Sequence, residues 1–160
     1  MPIATGDKIP DEKVMVVTPE GFEPTQTGEL LGKGKVVLFG LPGAFTPTCS
    51  DHHLPGFVIR AEELKAKGVD TVACVSVNDA FVMKAWGQTQ DVGDKVVLIA
   101  DGNGDFTRAM DLVFDGSGIG LGARSKRYAA IIEDGIITTL NVESKPGLDV
   151  SSAESILAAL

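Results

Sequence analysis

From Lys35 to Gly40 the chain reads Lys-Val-Val-Leu-Phe-Gly, an almost wholly apolar run entered through Gly32-Lys-Gly34. It breaks at once into Leu41-Pro-Gly-Ala-Phe-Thr-Pro-Thr-Cys-Ser50, a shaped loop with two prolines. A strand that shows neither face to water must lie inside a sheet covered on both sides, which is the habit of parallel strands in α/β proteins. That single run argues against a half-solvated antiparallel sheet and sets the frame for the rest of the chain.

The neighbouring segments fit it. Val69–Val77 is rich in β-branched residues and reads as a second inner strand, and Val96-Val-Leu-Ile-Ala100 as a third. Between the first two, a helix is expected from about Thr48, with Leu54, Phe57, Val58, Ala61 and Leu64 on one face and a stop at Lys67-Gly68. Pro55 should kink or interrupt its first turns. Asn78-Asp79 can cap a helix over Ala80 to about Gln88, which carries the one tryptophan, Trp86. A short helix over Phe106–Val113 and an unusually shaped loop over Gly116–Gly122 follow. Arg127–Ile132 and Ile136–Leu140 flank Glu133-Asp-Gly135, a hairpin signal. Ser151 and Glu154 read as a capping box opening a last helix that runs to Leu160. Upstream, Val14–Val17 is a short strand ending in the turn Thr18-Pro-Glu-Gly21. A βαβ start followed by a hairpin and a final helix is the thioredoxin-like arrangement. The expectation is one α/β domain over residues 1–160, with a central mixed sheet flanked by helices and an N-terminal strand extension.

With 14 basic against 22 acidic residues, the net charge is −8. Such a chain lacks the electrostatic footprint of a nucleic-acid binder or of a protein drawn to anionic lipid. Two cysteines make no disulfide scaffold. The N-terminus lacks the basic-then-apolar pattern of a signal peptide. No apolar run approaches the length of about 18 residues that a membrane span needs. The expected setting is a reducing compartment, the cytoplasm.

Three motif look-alikes fail on detail. Gly28–Lys35 is one residue too long for a phosphate loop, and Val36 replaces the hydroxyl that would hold Mg²⁺. Asp101–Asp105 starts like a calcium loop, but Phe106 and Leu112 occupy the places of the turn glycine and the bidentate acid. The Gly116–Gly122 run does not follow the buried strand that a dinucleotide fingerprint requires.

Cys49 differs because of its surroundings. It follows a buried strand and opens a helix, where free N–H groups and the helix dipole favour a thiolate. His52 and His53, within a turn, are expected to add positive character. A free cysteine is most often a small buried hydrophobe. Against that stands its place at the carboxyl end of a parallel strand, where α/β proteins build sites.

Pro42-x-x-x-Thr46-x-x-Cys49 resembles the peroxidatic motif of the peroxiredoxins. The longer stretch Pro42-Gly-Ala-Phe-Thr-Pro-Thr-Cys49, followed by His53-Leu-Pro-Gly-Phe57, is similar to the peroxiredoxin-5 branch, which includes plant and bacterial type II enzymes. Val75–Asp79, Lys84–Gly87, Ser125–Tyr128 and Leu140–Glu143 carry the same likeness over nearly the whole chain. The resemblance implies a thiol-dependent peroxidase with neither metal nor any other cofactor. Its substrates would be hydrogen peroxide and organic hydroperoxides, and it would work as a homodimer. By motif position, Cys49 corresponds to the peroxidatic cysteine, Thr46 to the hydroxyl that aligns peroxide and thiolate, Pro42 to the residue shielding the pocket, and Arg127 to the active-site arginine. Backbone N–H groups of Thr48 and Cys49 would complete the oxygen site. Leu41, Phe45 and Ile119 are expected near the pocket as an apolar lining for alkyl hydroperoxides.

Cys74 lies mid-strand in Val72-Ala-Cys-Val-Ser76 and reads as a buried, unreactive thiol. Relatives that form an internal disulfide use a cysteine near the C-terminus, and Pro146–Ser152 has none. The departure favours a one-cysteine cycle re-reduced by glutathione with glutaredoxin, by thioredoxin or by another external thiol. Two other readings stand beside the peroxidase: a thiol–disulfide oxidoreductase, disfavoured because Thr46 occupies the first place of a would-be Cys-x-x-Cys, and a redox-sensing, partner-binding protein. A metal site on Cys49, His52 and His53 is disfavoured because neighbouring helical residues point about 100° apart.

A magnitude sharpens the peroxidase reading. Lowering a thiol from its free pKa of ~8.5 to ~6 raises its thiolate fraction at pH 7 roughly 30-fold. The same shift costs roughly 13-fold in intrinsic nucleophilicity at a Brønsted slope of ~0.45. The net gain is about twofold, so aligning the O–O bond and stabilising the departing oxygen must supply most of the acceleration. Arg127 and Thr46 are therefore as necessary to the reading as Cys49.

Overall fold

The computed structural model describes residues 3–160. Seven strands form one sheet in the order β2-β1-β5-β4-β3-β8-β9. They are β1 (Lys13–Thr18), β2 (Gly21–Gln26), β3 (Lys35–Gly40), β4 (Thr71–Ser76), β5 (Val97–Ala100), β8 (Tyr128–Glu133) and β9 (Ile136–Val142). β3, β4 and β5 are parallel, and antiparallel strands flank them on both sides. β3 lies between β4 and β8, as its unbroken apolar sequence requires. A second, two-stranded sheet pairs β6 (Val113–Asp115) with β7 (Ala123–Ser125). The helical elements are α1 (Thr27–Leu30), a π-helical turn (Cys49–His53), α2 (Leu54–Ile59), α3 (Ala61–Ala66), α4 (Ala80–Thr89), α5 (Asp105–Ala109) and α6 (Ala153–Ala159).

Strand alternation divides the core into two clusters. Val37, Phe39, Cys74, Ala129 and Ile131 pack with Cys49, Phe57 and Trp86. Val36, Leu38, Ala73, Val75 and Ile132 pack with Phe106 and Tyr128. The Phe39 and Phe57 rings stack at 4.0 Å, pinning α2 to the sheet. On the opposite face Tyr128 lies against Gly40, where any Cβ would overlap its ring. The hairpin turn is as expected: Asp134 and Gly135 take φ of 49° and 84°, the left-handed pair that matches strand twist.

Several local expectations are corrected. The helix expected from Thr48 to Lys67 is three pieces. The Leu54 N–H reaches back five residues to the Cys49 carbonyl, and Pro55 next to it has no N–H to continue a regular ladder. A second break falls at Arg60, which no proline or glycine marks. The helix expected over Phe106–Val113 stops at Ala109, and Val113 opens β6. The unusually shaped loop expected over Gly116–Gly122 is present, closed by Gly116 N–H to the Gly122 carbonyl at 2.7 Å, with Gly120 and Gly122 left-handed. Ser151 is not the cap of α6. Ser152 is, accepting from Ser155 N–H at 3.1 Å, while Ser151 is buried against Glu143 and Glu154 pairs instead with Arg60. Adjacent serines offer the same cap chemistry, and the tertiary demand on Ser151 decides between them.

Candidate active site

β3 ends at Gly40, and the chain leaves the sheet between the ends of β4 and β8. The 41–48 loop is held from two sides. Asn78 Oδ1, after β4, accepts from Ala44 N–H at 3.0 Å and from the Ser76 hydroxyl at 2.6 Å. Arg124 on β7 donates to the Pro42 carbonyl at 3.1 Å and to the Leu121 carbonyl at 3.0 Å. Phe45 takes a φ of 66°, a left-handed conformation that the loop imposes on a bulky residue.

Cys49 is fully buried beneath this loop. Arg127 precedes β8 and, by alternation, lies on the Ala129 side of the sheet, opposite Tyr128. Its guanidinium donates to Cys49 Sγ at 3.2 Å. A second nitrogen of the same guanidinium donates to His53 Nδ1 at 3.0 Å. His53 Nε2 in turn donates to the Ser151 carbonyl at 3.0 Å. Both ring nitrogens are thereby assigned: Nε2 carries the proton and Nδ1 accepts. Burial, and next the charge of Arg127, push His53 down to about 3. His53 is therefore neutral, and the positive character expected of it is corrected: burial beside a permanent cation excludes a second charge. His52 is exposed.

The relay continues to Glu143. One of its carboxylate oxygens accepts from Asp149 N–H, Ser151 N–H and the Ser151 hydroxyl, at 2.8, 2.9 and 2.7 Å. The 143–152 segment thus holds His53, His53 holds Arg127, and Arg127 faces Cys49. Sequence reasoning gave no role to Glu143 and marked Ser151 only as a helix cap. The only sign was the Leu140–Glu143 likeness, which says nothing of a contact.

The Thr46 hydroxyl donates to the Gly43 carbonyl at 2.6 Å, so its lone pairs are left to accept from an incoming O–H. The first helical bond is Ser50 N–H to the Thr46 carbonyl. The Thr48 and Cys49 N–H groups come before it and point out of the helix start. Trp86 Nε1 donates to Ser50 Oγ at 2.9 Å, linking the indole to the residue after Cys49.

A cavity of about 660 Å³ opens above Cys49, lined by Pro42, Thr46, Thr48 and Arg127 among others. All four site residues expected from sequence therefore converge: Pro42, Thr46 and Arg127 line the cavity, and Arg127 bridges it to the buried Cys49 sulfur. Of the expected apolar lining only Ile119 is there; Leu41 is wholly in the core and Phe45 projects outside. A second depression, of about 300 Å³, lies elsewhere, against Phe22 and Phe81, and neither cysteine lines it. Among the described residues no group of three or more His, Cys, Asp and Glu side chains could hold a metal ion, and no helix is long and apolar enough to cross a membrane.

Chemically, the arrangement offers a sulfur nucleophile, a fixed cation and neutral donors around one point. That suits attack on a small molecule whose departing atom takes up negative charge.

Comparison with known proteins agrees. The model of the Redoxin family matches residues 4–157. The chain is similar to the chloroplastic peroxiredoxin-2E-2 of Oryza sativa subsp. japonica, at 52% identity over 99% of this chain and 72% of that one. Peroxiredoxin-2B of Arabidopsis thaliana is 49% identical over 99% of both chains. The crystal structure of reduced Prx3 from Vibrio vulnificus in complex with H₂O₂ matches with a TM-score of 0.93 at 52% identity, covering 98% of each chain. With this fold, this sulfur-centred site and relatives of that closeness over its whole length, the chain belongs to the peroxiredoxins and is a thiol-dependent peroxidase.

Proposed function

We propose that Cys49 is the peroxidatic nucleophile of a one-cysteine cycle. The Cys49 thiolate attacks the terminal oxygen of a hydroperoxide. The S–O bond forms as the O–O bond breaks, sulfur gives up two electrons, and the alkoxide or hydroxide takes a proton to leave as alcohol or water. The product is Cys49 sulfenic acid, a reversible rung of cysteine oxidation. One external thiol condenses with it, releasing water and leaving a mixed disulfide, and a second thiol restores Cys49.

The observation that carries this reading is the 3.2 Å contact from Arg127 to the Cys49 sulfur, with the same guanidinium held on its other side by neutral His53. Arg127 binds the peroxide oxygens and stabilises the leaving one. Thr46 accepts from the peroxide O–H, and Pro42 walls the site from water. The relative from Vibrio vulnificus, in its reduced form, has been crystallised with hydrogen peroxide.

Burial pushes the Cys74 thiol well above its usual range, which opposes a role as resolving thiolate and leaves resolution to an external thiol. Glutathione with glutaredoxin, or thioredoxin, has the required chemistry, and both belong to a reducing compartment such as the cytoplasm. A second copy of the chain is the partner proposed for the exposed aromatic face. Phe45 and Phe81 are 55% and 73% exposed, and the Asn78–Ala44 bond ties their segments together.

The test is intact mass after one equivalent of peroxide, followed by excess glutathione. Addition of one oxygen at Cys49, then a Cys49–glutathione adduct, is expected. A Cys49–Cys74 disulfide formed without added thiol would overturn the one-cysteine cycle.

A further inference from the structure

The cavity above Cys49 is far larger than hydrogen peroxide needs. Water's share of liquid volume is about 30 Å³, so the two oxygens of hydrogen peroxide fill roughly a tenth of it. At about 660 Å³ it falls within the range of organic-ligand sites. Its inner end is polar, with Thr46, Thr48 and Arg127. Phe114, Ile119, Leu121 and Pro146 add apolar lining, and the exposed Lys126 and Lys145 stand at its rim. Ile119 is 75% exposed, which a lone apolar side chain leaves without a partner.

The two lysines are unusual for where they stand. The chain carries a net charge of −8, yet the charged groups lining this cavity are Arg127, Lys126, Lys145 and one carboxylate, Glu143. Glu143 is turned to Ser151 and Asp149. Among the described residues neither lysine takes part in an ion pair. A polar inner end, apolar walls and an unpaired cationic rim form a graded site. It matches a molecule that is a hydroperoxide at one end, a hydrocarbon in the middle and an anion at the other.

The geometry points to organic hydroperoxides that bear a carboxylate as a preferred substrate class, the Lys126–Lys145 rim receiving the carboxylate while the hydroperoxide reaches Cys49. This rests on the peroxidatic role of Cys49 proposed above. The bonds made and broken are those of that step; the rim changes only which hydroperoxide is captured. The hydrocarbon walls favour an alkyl chain over a polar thiol such as glutathione, so the discrimination belongs to the oxidation step.

The experiment is rapid mixing of the reduced protein with three oxidants: a hydroperoxy fatty acid below its micelle concentration, its methyl ester, and hydrogen peroxide. Loss of the Cys49 thiol is read by intact mass. The acid is expected to react about two- to fivefold faster than the ester, the size that exposed ion pairs provide. The preference should fade as salt screens the rim. The Lys126→Ala/Lys145→Ala double variant should bring the acid-to-ester ratio to about one and leave hydrogen peroxide unchanged. An acid-to-ester ratio near one in the parent protein, or a preference that survives the double substitution, overturns the proposal. So does a lysine effect confined to re-reduction by glutathione. Failure of the underlying reading looks different: hydrogen peroxide would then leave Cys49 unoxidised.

Discussion

Cys49 and Cys74 are equally inaccessible, both at 0% exposure, and both belong to the same apolar cluster. Their company separates them. Cys49 stands where β3 has just left the sheet, so side chains from the π-helical turn, the approach to β8 and the 41–48 loop converge on it. Cys74 stands mid-β4, between Phe39 on β3 and Leu98 on β5, where the lateral neighbours are other strand residues. Alternation makes that face apolar, and burial raises the Cys74 thiol, the nearby Cys49 adding to the rise and Arg127 opposing it. Solvent exposure therefore does not separate the two thiols. Position does, because only at a strand end can several elements deliver polar groups to one sulfur.

The contrast can be broken in four places, in descending order of effect on the peroxide rate. Cys49→Ser should abolish turnover while the circular dichroism spectrum is unchanged; more than a few per cent of residual activity would mean that the reactive sulfur lies elsewhere. Next, Arg127→Gln should slow the peroxide reaction about 30- to 1000-fold, the range for losing a preorganised donor to a developing oxyanion. Alkylation by iodoacetamide, which has no oxygen leaving group, should slow far less once rates are corrected for protonation over several pH values. Equal losses in both reactions would show that Arg127 does not act on the peroxide.

His53→Leu comes third. It removes one acceptor from a half-buried guanidinium, an interaction of about 1.5–3 kcal/mol, so a drop of about tenfold or more in the peroxide rate is expected. His53→Gln, whose amide oxygen can accept from Arg127, should recover most of it; no recovery would reduce His53 to a packing residue. The same pair tests acid stability. His53 is held at about 3 in the fold against 6.5 when free, so the unfolded chain binds the extra proton between those values. The contribution is whole above about pH 6.5 and is lost as pH falls toward 3. Between pH 7 and pH 4 the loss is on the order of 3 kcal/mol. Urea midpoints should fall over that interval in the parent and markedly less in His53→Gln.

The smallest change in rate is expected from Cys74→Ser, within about twofold, with stability lowered by about 1–3 kcal/mol because an unpartnered hydroxyl enters an apolar strand face. The single tryptophan makes the stability measurement simple, since Trp86 is buried beside Ser50. A variant that reduces its first equivalent of peroxide normally and then stalls would erase the distinction between the two cysteines.

Much of the frame was legible along the chain. The β3 run, the Asp79 cap with its 2.9 Å bond to Val82 N–H and the Asp134-Gly135 turn all depend on residues a few positions apart. The Pro42–Cys49 motif was legible for the same reason: one short loop carries the proline, the threonine hydroxyl and the cysteine sulfur. The placement of β1 between β2 and β5, the β6–β7 pair and the break at Arg60 were not. Each depends on what packs against the segment, and none has a local turn or cap signal of its own.

The site divides in the same way. Sequence alone singled out Cys49, Thr46 and the loop that carries them, because strand, proline and helix-start signals act within one stretch of chain. Tertiary structure alone decided the protonation of His53, the choice of Ser152 over Ser151 as cap, and the grip of Glu143 on the 143–152 segment. The bonds responsible join Cys49 to Arg127 across 78 positions, Arg127 to His53 across 74 and His53 to Ser151 across 98. No local pattern encodes contacts at such separations. Burial beside a guanidinium turned a histidine that reads as a cation into a neutral acceptor, and that desolvation exists only once the fold has closed around it.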